Sequence, residues 1–205
     1  MLRFIRGHLL EHDPELAAQM FRDRAWQFHE RQGWEVTVDA RGEERDDYDR
    51  SDTLYVIWQG ADGRHGGSMR LLPTTAPVMV NDHFGHLTGG CPVVDPAIWE
   101  CTRFCLAPGA PAHVAAALML GGGEVMTGLG VRRFVGVFDA RMIRIYRAIG
   151  ALPEVLGGEG AGRDRISVGL WSFSPAARLR IARRAGVSPA LARHWFERSL
   201  GRSAA

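Results

Sequence analysis

Trp99-Glu100-Cys101-Thr102-Arg103-Phe104-Cys105-Leu106 places a carboxylate and a guanidinium inside a stretch whose aromatic, β-branched and apolar content otherwise reads as a buried strand. Charge is expensive to desolvate, so this strand is where chemistry is expected. Other charged residues stand in equally costly surroundings: Arg24 on an apolar helical stripe, the pair Asp46 and Asp49, and Arg70 within Met69-Arg70-Leu71-Leu72. Carboxylates so placed suit proton transfer, and arginines suit two-pronged pairing with carboxylates. Together these residues predict one site.

The elements that must position them follow from pattern. Asp13 as N-cap, with Pro14 and Glu15 in the first turn, opens a helix that Gly33 closes. Leu16, Ala17, Met20, Phe21 and Phe28 make its inner stripe. Arg24 falls on the same stripe, so it points inward and needs a carboxylate partner. Residues 39–52 are acidic, weakly periodic and read as a loop. Thr53–Gln59 and Gly67–Leu72 read as an antiparallel pair joined by Ala61-Asp62-Gly63-Arg64, and the long irregular stretch 73–96 carries Met79 and Phe84. After the strand 99–106 comes a helix over about 111–129, whose Gly121-Gly122-Gly123 either admits a close neighbour or breaks the helix. A strand 134–138, Asp139 as a cap, a helix 140–149 ended by Gly150 and a strand 165–173 follow. Two short helices begin at Ser174-Pro175 and Ser188-Pro189. This order predicts an α/β fold, a three-layer sandwich built on a mixed sheet.

At 205 residues, with 46% hydrophobic and 23% charged, the chain fits one domain over 1–205, its two C-terminal helices at about 174–201 included. All 25 basic residues are arginine, which excludes Schiff-base lysines, lysine-bound pyridoxal phosphate and the P-loop lysine. The net charge of +2 is too small to argue for nucleic acid. Three cysteines, Cys91, Cys101 and Cys105, two of them in the core strand, fit reduced thiols and lack a fourth ligand for zinc, so no metal is expected. No apolar run reaches membrane-spanning length, and Met1–His8 lacks the apolar stretch of a secretory signal; a cytoplasmic location is expected.

The constellation resembles the acyl-homoserine-lactone synthases of the LuxI type. Arg24, Phe28, Trp34, Asp46, Asp49, Arg70, Phe84, Glu100 and Arg103 match that family's pattern in type, order and spacing, over roughly residues 1–175. Thr102 stands where serine is common, and Phe138-Asp139 replaces a threonine-containing stretch of many members that use 3-oxoacyl chains. The resemblance implies a fold similar to that of the GNAT acyltransferases. It also implies an acyltransferase that makes an N-acyl-homoserine lactone, a quorum-sensing signal, from S-adenosylmethionine and an acyl thioester, releasing 5′-methylthioadenosine. S-adenosylmethionine is then a substrate, and no cofactor is expected. The acyl donor is acyl carrier protein, or acyl-CoA.

That reaction needs a free amine, while an α-amino group has a pKa of about 8. Glu100 is the candidate base, directly or through a water, with Asp46 the next carboxylate in line. Phe28, Trp34 and Phe84 suit adenine stacking and packing round a sulfonium. Arg24, Arg70, Asp49 and Arg103 are expected at the S-adenosylmethionine site, the arginines either binding carboxylate or fixing the acidic loop. In a regular strand Glu100 and Arg103 point to opposite faces, so either a bulge re-aims one of them or Arg103 braces the loop from behind. Arg132, Arg133, Arg141, Arg144 and Arg147 form a candidate docking patch for the acidic carrier protein that the resemblance implies.

Two other functions compete. Ala177–Leu200, with the turn Ala185-Gly186-Val187-Ser188, has the outline of a DNA-binding helix-turn-helix, although Trp195 and Phe196 read as packing residues. A CoA-dependent GNAT N-acetyltransferase would share the fold. Against it, Ala107–Pro111 lacks the Arg/Gln-x-x-Gly-x-Gly/Ala loop that cradles a pyrophosphate.

Overall fold

The structure, a computed structural model, describes residues 1–201; the final residues of the expected domain, 202–205, lie outside the described residues. Seven strands, β1 (Leu2–Arg6), β2 (Leu54–Gln59), β3 (His65–Pro73), β4 (Ile98–Leu106), β5 (Arg133–Asp139), β6 (Glu154–Glu159) and β7 (Ile166–Trp171), form one sheet in the order β1-β2-β3-β4-β5-β7-β6. Only β4 and β5 run parallel, so the sheet is mixed. The helices are α1 (Pro14–Ala25), α2 (Met79–Asp82), α3 (His113–Leu129), α4 (Met142–Ile149), α5 (Pro175–Ala185) and α6 (Pro189–Leu200).

Alternation along the strands makes the layers. Leu2, Phe4, Val56 and Met69 face α3, α5 and α6, whereas Ile5, Tyr55 and Ile57 face Leu16, Met20 and Phe21 of α1. A third cluster, Leu72, Val78, Val80, Val135 and Val168, seats α2 against the sheet. The C-terminal helices belong to this body. Phe196 is fully buried and meets Phe4 edge-on at 5.3 Å, a contact whose truncation to alanine would remove about 3–5 kcal/mol. Trp195 packs on Trp58. The helix-turn-helix outline is therefore a pair of core-packed helices.

Several expectations need correction. The N-terminal strand β1 and the late strand β6 were not expected; they are the two edges of the sheet. Asp13 occupies the N-cap position of α1 but makes no capping bond, pairing instead with Arg3 at 3.2 Å. Past Ala25 the helix continues as a wider π-type turn over Trp26–Arg31. The glycine triplet does not break α3. A Cβ on Gly122 would lie 2.8 Å from Met69 Cε and one on Gly123 2.0 Å from Phe173 Cζ, so the bare backbone admits side chains. Ser174 and Ser188 do cap α5 and α6, accepting from Ala177 N and Leu191 N, each at 3.1 Å.

Two irregularities shape the middle of the sheet. β4 and β5 pair only over Ile98–Glu100 with Arg133–Val135, and beyond that point they part. Between Ser68↔Cys105 and Arg70↔Thr102 the register slips by one residue, a bulge in β4, and Arg103 takes the left-handed φ of 52°. That conformation in a non-glycine residue costs about 1–3 kcal/mol and persists only where its surroundings hold it.

Candidate active site

The bulge answers the question of Glu100 and Arg103: it turns the Arg103 side chain toward the acidic loop on the same side of the sheet. There the guanidinium meets Glu44 through Nε at 3.1 Å and Nη2 at 3.0 Å, and its Nη2 lies 2.8 Å from Asp46 Oδ2. Asp46 also takes a two-pronged contact from Arg70, with Nη2 to Oδ2 at 2.9 Å. Arg70 Nη1 is 3.0 Å from Asp49, and Asp49 receives both Nη atoms of Arg24, at 2.8 and 3.0 Å. Arg24 Nε returns to Glu44 at 2.6 Å. The six side chains therefore close a ring of alternating charge, Arg24-Glu44-Arg103-Asp46-Arg70-Asp49, whose formal charges cancel. Nearly all of it is buried. Burial pushes Asp49 up, yet Arg24, Arg70 and the Tyr55 hydroxyl at 2.7 Å hold its carboxyl well below the usual carboxylate range.

Glu44 is the member that sequence reasoning missed. It stands in Gly42-Glu43-Glu44-Arg45, a run that looks like solvated surface, and no periodicity sets it apart from Glu43. Nor did the count give it away, because Arg24, Arg70 and Arg103 are already matched in number by Asp46, Asp49 and Glu100.

Beside the ring opens a cavity of about 900 Å³, running from the aromatic pair Phe28 and Trp34 to the gap between β4 and β5. Of the expected site residues, Phe28, Trp34, Asp46, Phe84, Glu100 and Arg103 line it. Arg24, Asp49 and Arg70 do not; they stand behind its wall as the rear of the ring. Phe28 and Trp34 stack at 5.1 Å and 16°, Arg103 lies over Phe28 at 5.4 Å, and Trp34 remains 43% exposed. Among the arginines expected to dock a carrier protein, Arg141 sits at the cavity's rim. Arg132, Arg133, Arg144 and Arg147 are exposed outside it, with Arg132 paired to Asp95 and Arg133 to Glu154.

Glu100 lies where β4 and β5 part. Its Oε1 accepts from Val80 N at 2.6 Å and its Oε2 from Met79 N at 3.1 Å, so it clips the start of α2 to the sheet. Burial pushes its carboxyl up to about 7, against the pull of those two donors and of Arg70 and Arg103. A carboxyl at that value exchanges protons near neutrality. Met79, held by this clip, sets its sulfur 3.4 Å from both Thr102 Oγ1 and Arg103 Nη1. Among the described residues no group of three or more histidine, cysteine, aspartate or glutamate side chains is placed to hold a metal ion.

Residues 8–173 match the autoinducer synthase family. The chain belongs to that family. It is 40% identical over 181 residues to an acyl-homoserine-lactone synthase of Rhizobium etli, covering 85% of each chain. Among solved structures it is similar to the CoA-dependent acyl-homoserine lactone synthase MesI, with 27% identity, a TM-score of 0.81 and coverage of 93% of this chain and 98% of that one. It is also similar to BjaI, a CoA-dependent synthase solved with SAM and isopentyl-CoA, at 26% identity and a TM-score of 0.79, covering 91% and 90%. An acyl-CoA N-acyltransferase from Pseudomonas aeruginosa, 15% identical over 84% of this chain and 99% of that one, shares the fold at a TM-score of 0.54. The autoinducer synthase match ends at the close of the sheet. α5 lies beyond it, yet gives the cavity Ala177, Arg180 and Ile181.

Proposed function

We propose that this autoinducer synthase moves an acyl group from a thioester to the amine of S-adenosylmethionine and releases the product as an N-acyl-homoserine lactone with 5′-methylthioadenosine. The observation that carries the proposal is Glu100: a buried carboxyl with a value near 7, at the mouth of the β4–β5 gap and beside a neutralised ring of arginines and carboxylates. Glu100 takes a proton from the substrate ammonium, directly or through a water. The freed nitrogen attacks the thioester carbon, the carbonyl electrons move to oxygen, and their return expels the thiolate, which takes up the proton that the nitrogen gives up as it becomes an amide. The methionyl carboxylate then attacks its own γ-carbon, and the carbon–sulfur bond breaks toward the sulfonium, giving a neutral thioether. These steps call on no metal or cofactor.

The site residues divide by position. Arg103 is the one ring guanidinium that lines the cavity, and we assign it to the substrate carboxylate. Asp46 has both oxygens engaged by arginines, which suits it to holding Arg103 in place rather than to taking a proton. Arg24, Asp49 and Arg70 organise the acidic loop without touching substrate. Phe28 and Trp34 offer a stacked face to adenine, and Phe84 closes the opposite wall. For the donor, acyl carrier protein is supported by the exposed Arg141, Arg144 and Arg147 at one-turn spacing on and beside α4. The likeness to CoA-dependent MesI and BjaI favours acyl-CoA as the second reading. Three free cysteines fit the reducing cytoplasm, where we place the reaction. No helix among the described residues is long and apolar enough to cross a membrane. Purified protein given S-adenosylmethionine and a panel of acyl carrier protein and CoA thioesters should release 5′-methylthioadenosine and a lactone; acetylation of simple amines with neither product would replace this function with that of an acetyltransferase.

A further inference from the structure

Tyr146, on α4, lines the cavity on the face of the sheet that carries α3, although the residue is only 5% exposed. Its ring is fixed from two sides, by Phe138 at 5.6 Å and Trp171 at 5.1 Å, both edge-on. Trp171 is itself anchored through Nε1 to Ala151 O at 2.9 Å. The hydroxyl makes no hydrogen bond among the described residues, yet it is not sealed away, so it opens on the cavity. Burial, then the neighbouring Cys101 and Asp139, push the phenol above its ordinary range, and it stays an O–H donor. Apolar side chains, Met69, Phe104, Phe134 and Met142 among them, line the same cavity. A rigid donor with no partner in an apolar chamber fits an acceptor brought by the substrate.

We propose that Tyr146 recognises an oxygen on the third carbon of the acyl group, so that this chain uses 3-oxo or 3-hydroxy acyl donors in preference to plain alkanoyl ones. The position follows from the sheet. The thioester carbon must meet the amine near Glu100, and Tyr146 neighbours Cys101, the next residue along β4. Successive strand residues face opposite ways, so Glu100 and Tyr146 stand on opposite sides of the β4–β5 gap in the cavity that both line, and an acyl chain leading away from the amine through that gap carries its first carbons toward Tyr146. A site built to bond a substrate oxygen discriminates against the analogue that lacks it, because the protein donor is then left unpaired.

The inference rests on the acyltransferase function proposed above, and the test separates the two. Release of 5′-methylthioadenosine is followed for the full chain and for Tyr146→Phe, with matched pairs of plain and 3-oxo acyl-CoA thioesters over a range of chain lengths. The wild type should favour the 3-oxo member. Tyr146→Phe, which keeps the ring packing, should lower the ratio of kcat/KM for 3-oxo over plain donors by about tenfold, the scale of one hydrogen bond. An unchanged ratio in a variant that melts like the wild type would overturn the assignment. So would an equal loss with both donors, which would give the hydroxyl to the thioester oxygen that both share. A wild type that releases nothing with any donor would remove the acyltransferase function, and this inference with it.

Discussion

Replacing Glu44 by glutamine removes one charge from a ring whose three guanidiniums and three carboxylates otherwise balance, and leaves an uncompensated buried cation. Glu44 is fully buried, and Arg24 and Arg103 both bond it. The substituted amide keeps one acceptor oxygen for one of them and turns an N–H₂ toward the other. Breaking a buried pair by removing one partner costs about 3–5 kcal/mol, a large share of the ~5–15 kcal/mol that holds a domain together. In urea, with a slope of about 2 kcal/mol per molar, the unfolding midpoint should fall by about 1.5–2.5 M at unchanged slope. Removing Arg103 as well, as Glu44→Gln with Arg103→Met, restores neutrality. The double variant should then be less destabilised than the sum of the singles by about 1–3 kcal/mol. A single variant within about 1 kcal/mol of wild type, or additive losses, would refute the closed ring as a coupled unit.

The wild type should lose kcat/KM below pH about 7, and Glu100→Gln should lower turnover by about a hundredfold or more and abolish that fall; a folded variant with the wild-type profile would remove Glu100 from the chemistry. The same group links to stability. Its folded value is raised above the ordinary 4.5, so its contribution is present below pH 4.5 and lost as pH rises through about 7. Across that window, unfolding free energies of Glu100→Gln should gain on wild type by up to about 3 kcal/mol, and a flat difference would contradict the raised value. Reversing Arg141 and Arg144 to glutamate should raise KM for an acyl carrier protein donor while leaving that for S-adenosylmethionine nearly unchanged, with the wild-type advantage fading at high salt. If both constants hold, the carrier docks elsewhere or the donor is a CoA thioester.

Much of the middle of this fold was legible because its strands and helices carry strong periodic patterns flanked by caps and glycines. What escaped were the edges. β1 is five residues in which Arg3 and Arg6 interrupt the apolar pattern, and β6 carries Gly157-Gly158 and exposed side chains, which reads as loop. An edge strand buries less and so leaves a fainter imprint. Within the site, Arg24, Asp46, Asp49, Arg70, Glu100 and Arg103 stood out as charges in apolar company. Their division into a cavity wall and a rear brace did not, because it depends on the β4 bulge, a one-residue slip with no glycine to mark it. Glu44 was hidden for the opposite reason, lying among charges where one more attracts no notice. Tyr146 sits on the apolar stripe of α4 like any core aromatic, and only its empty hydroxyl in three dimensions sets it apart.

The measurement that tests the central claim most directly is mass spectrometry of extracts from a host that expresses this chain and is fed isotope-labelled methionine. The wild-type chain should yield an N-acyl-homoserine lactone that carries the methionine carbons but not its methyl group. The Glu100→Gln chain, expressed at equal level, should yield little or none. Soluble, folded wild-type protein with no labelled lactone in the extract would contradict the synthase function, and an undiminished yield from Glu100→Gln would contradict the role of Glu100 within it.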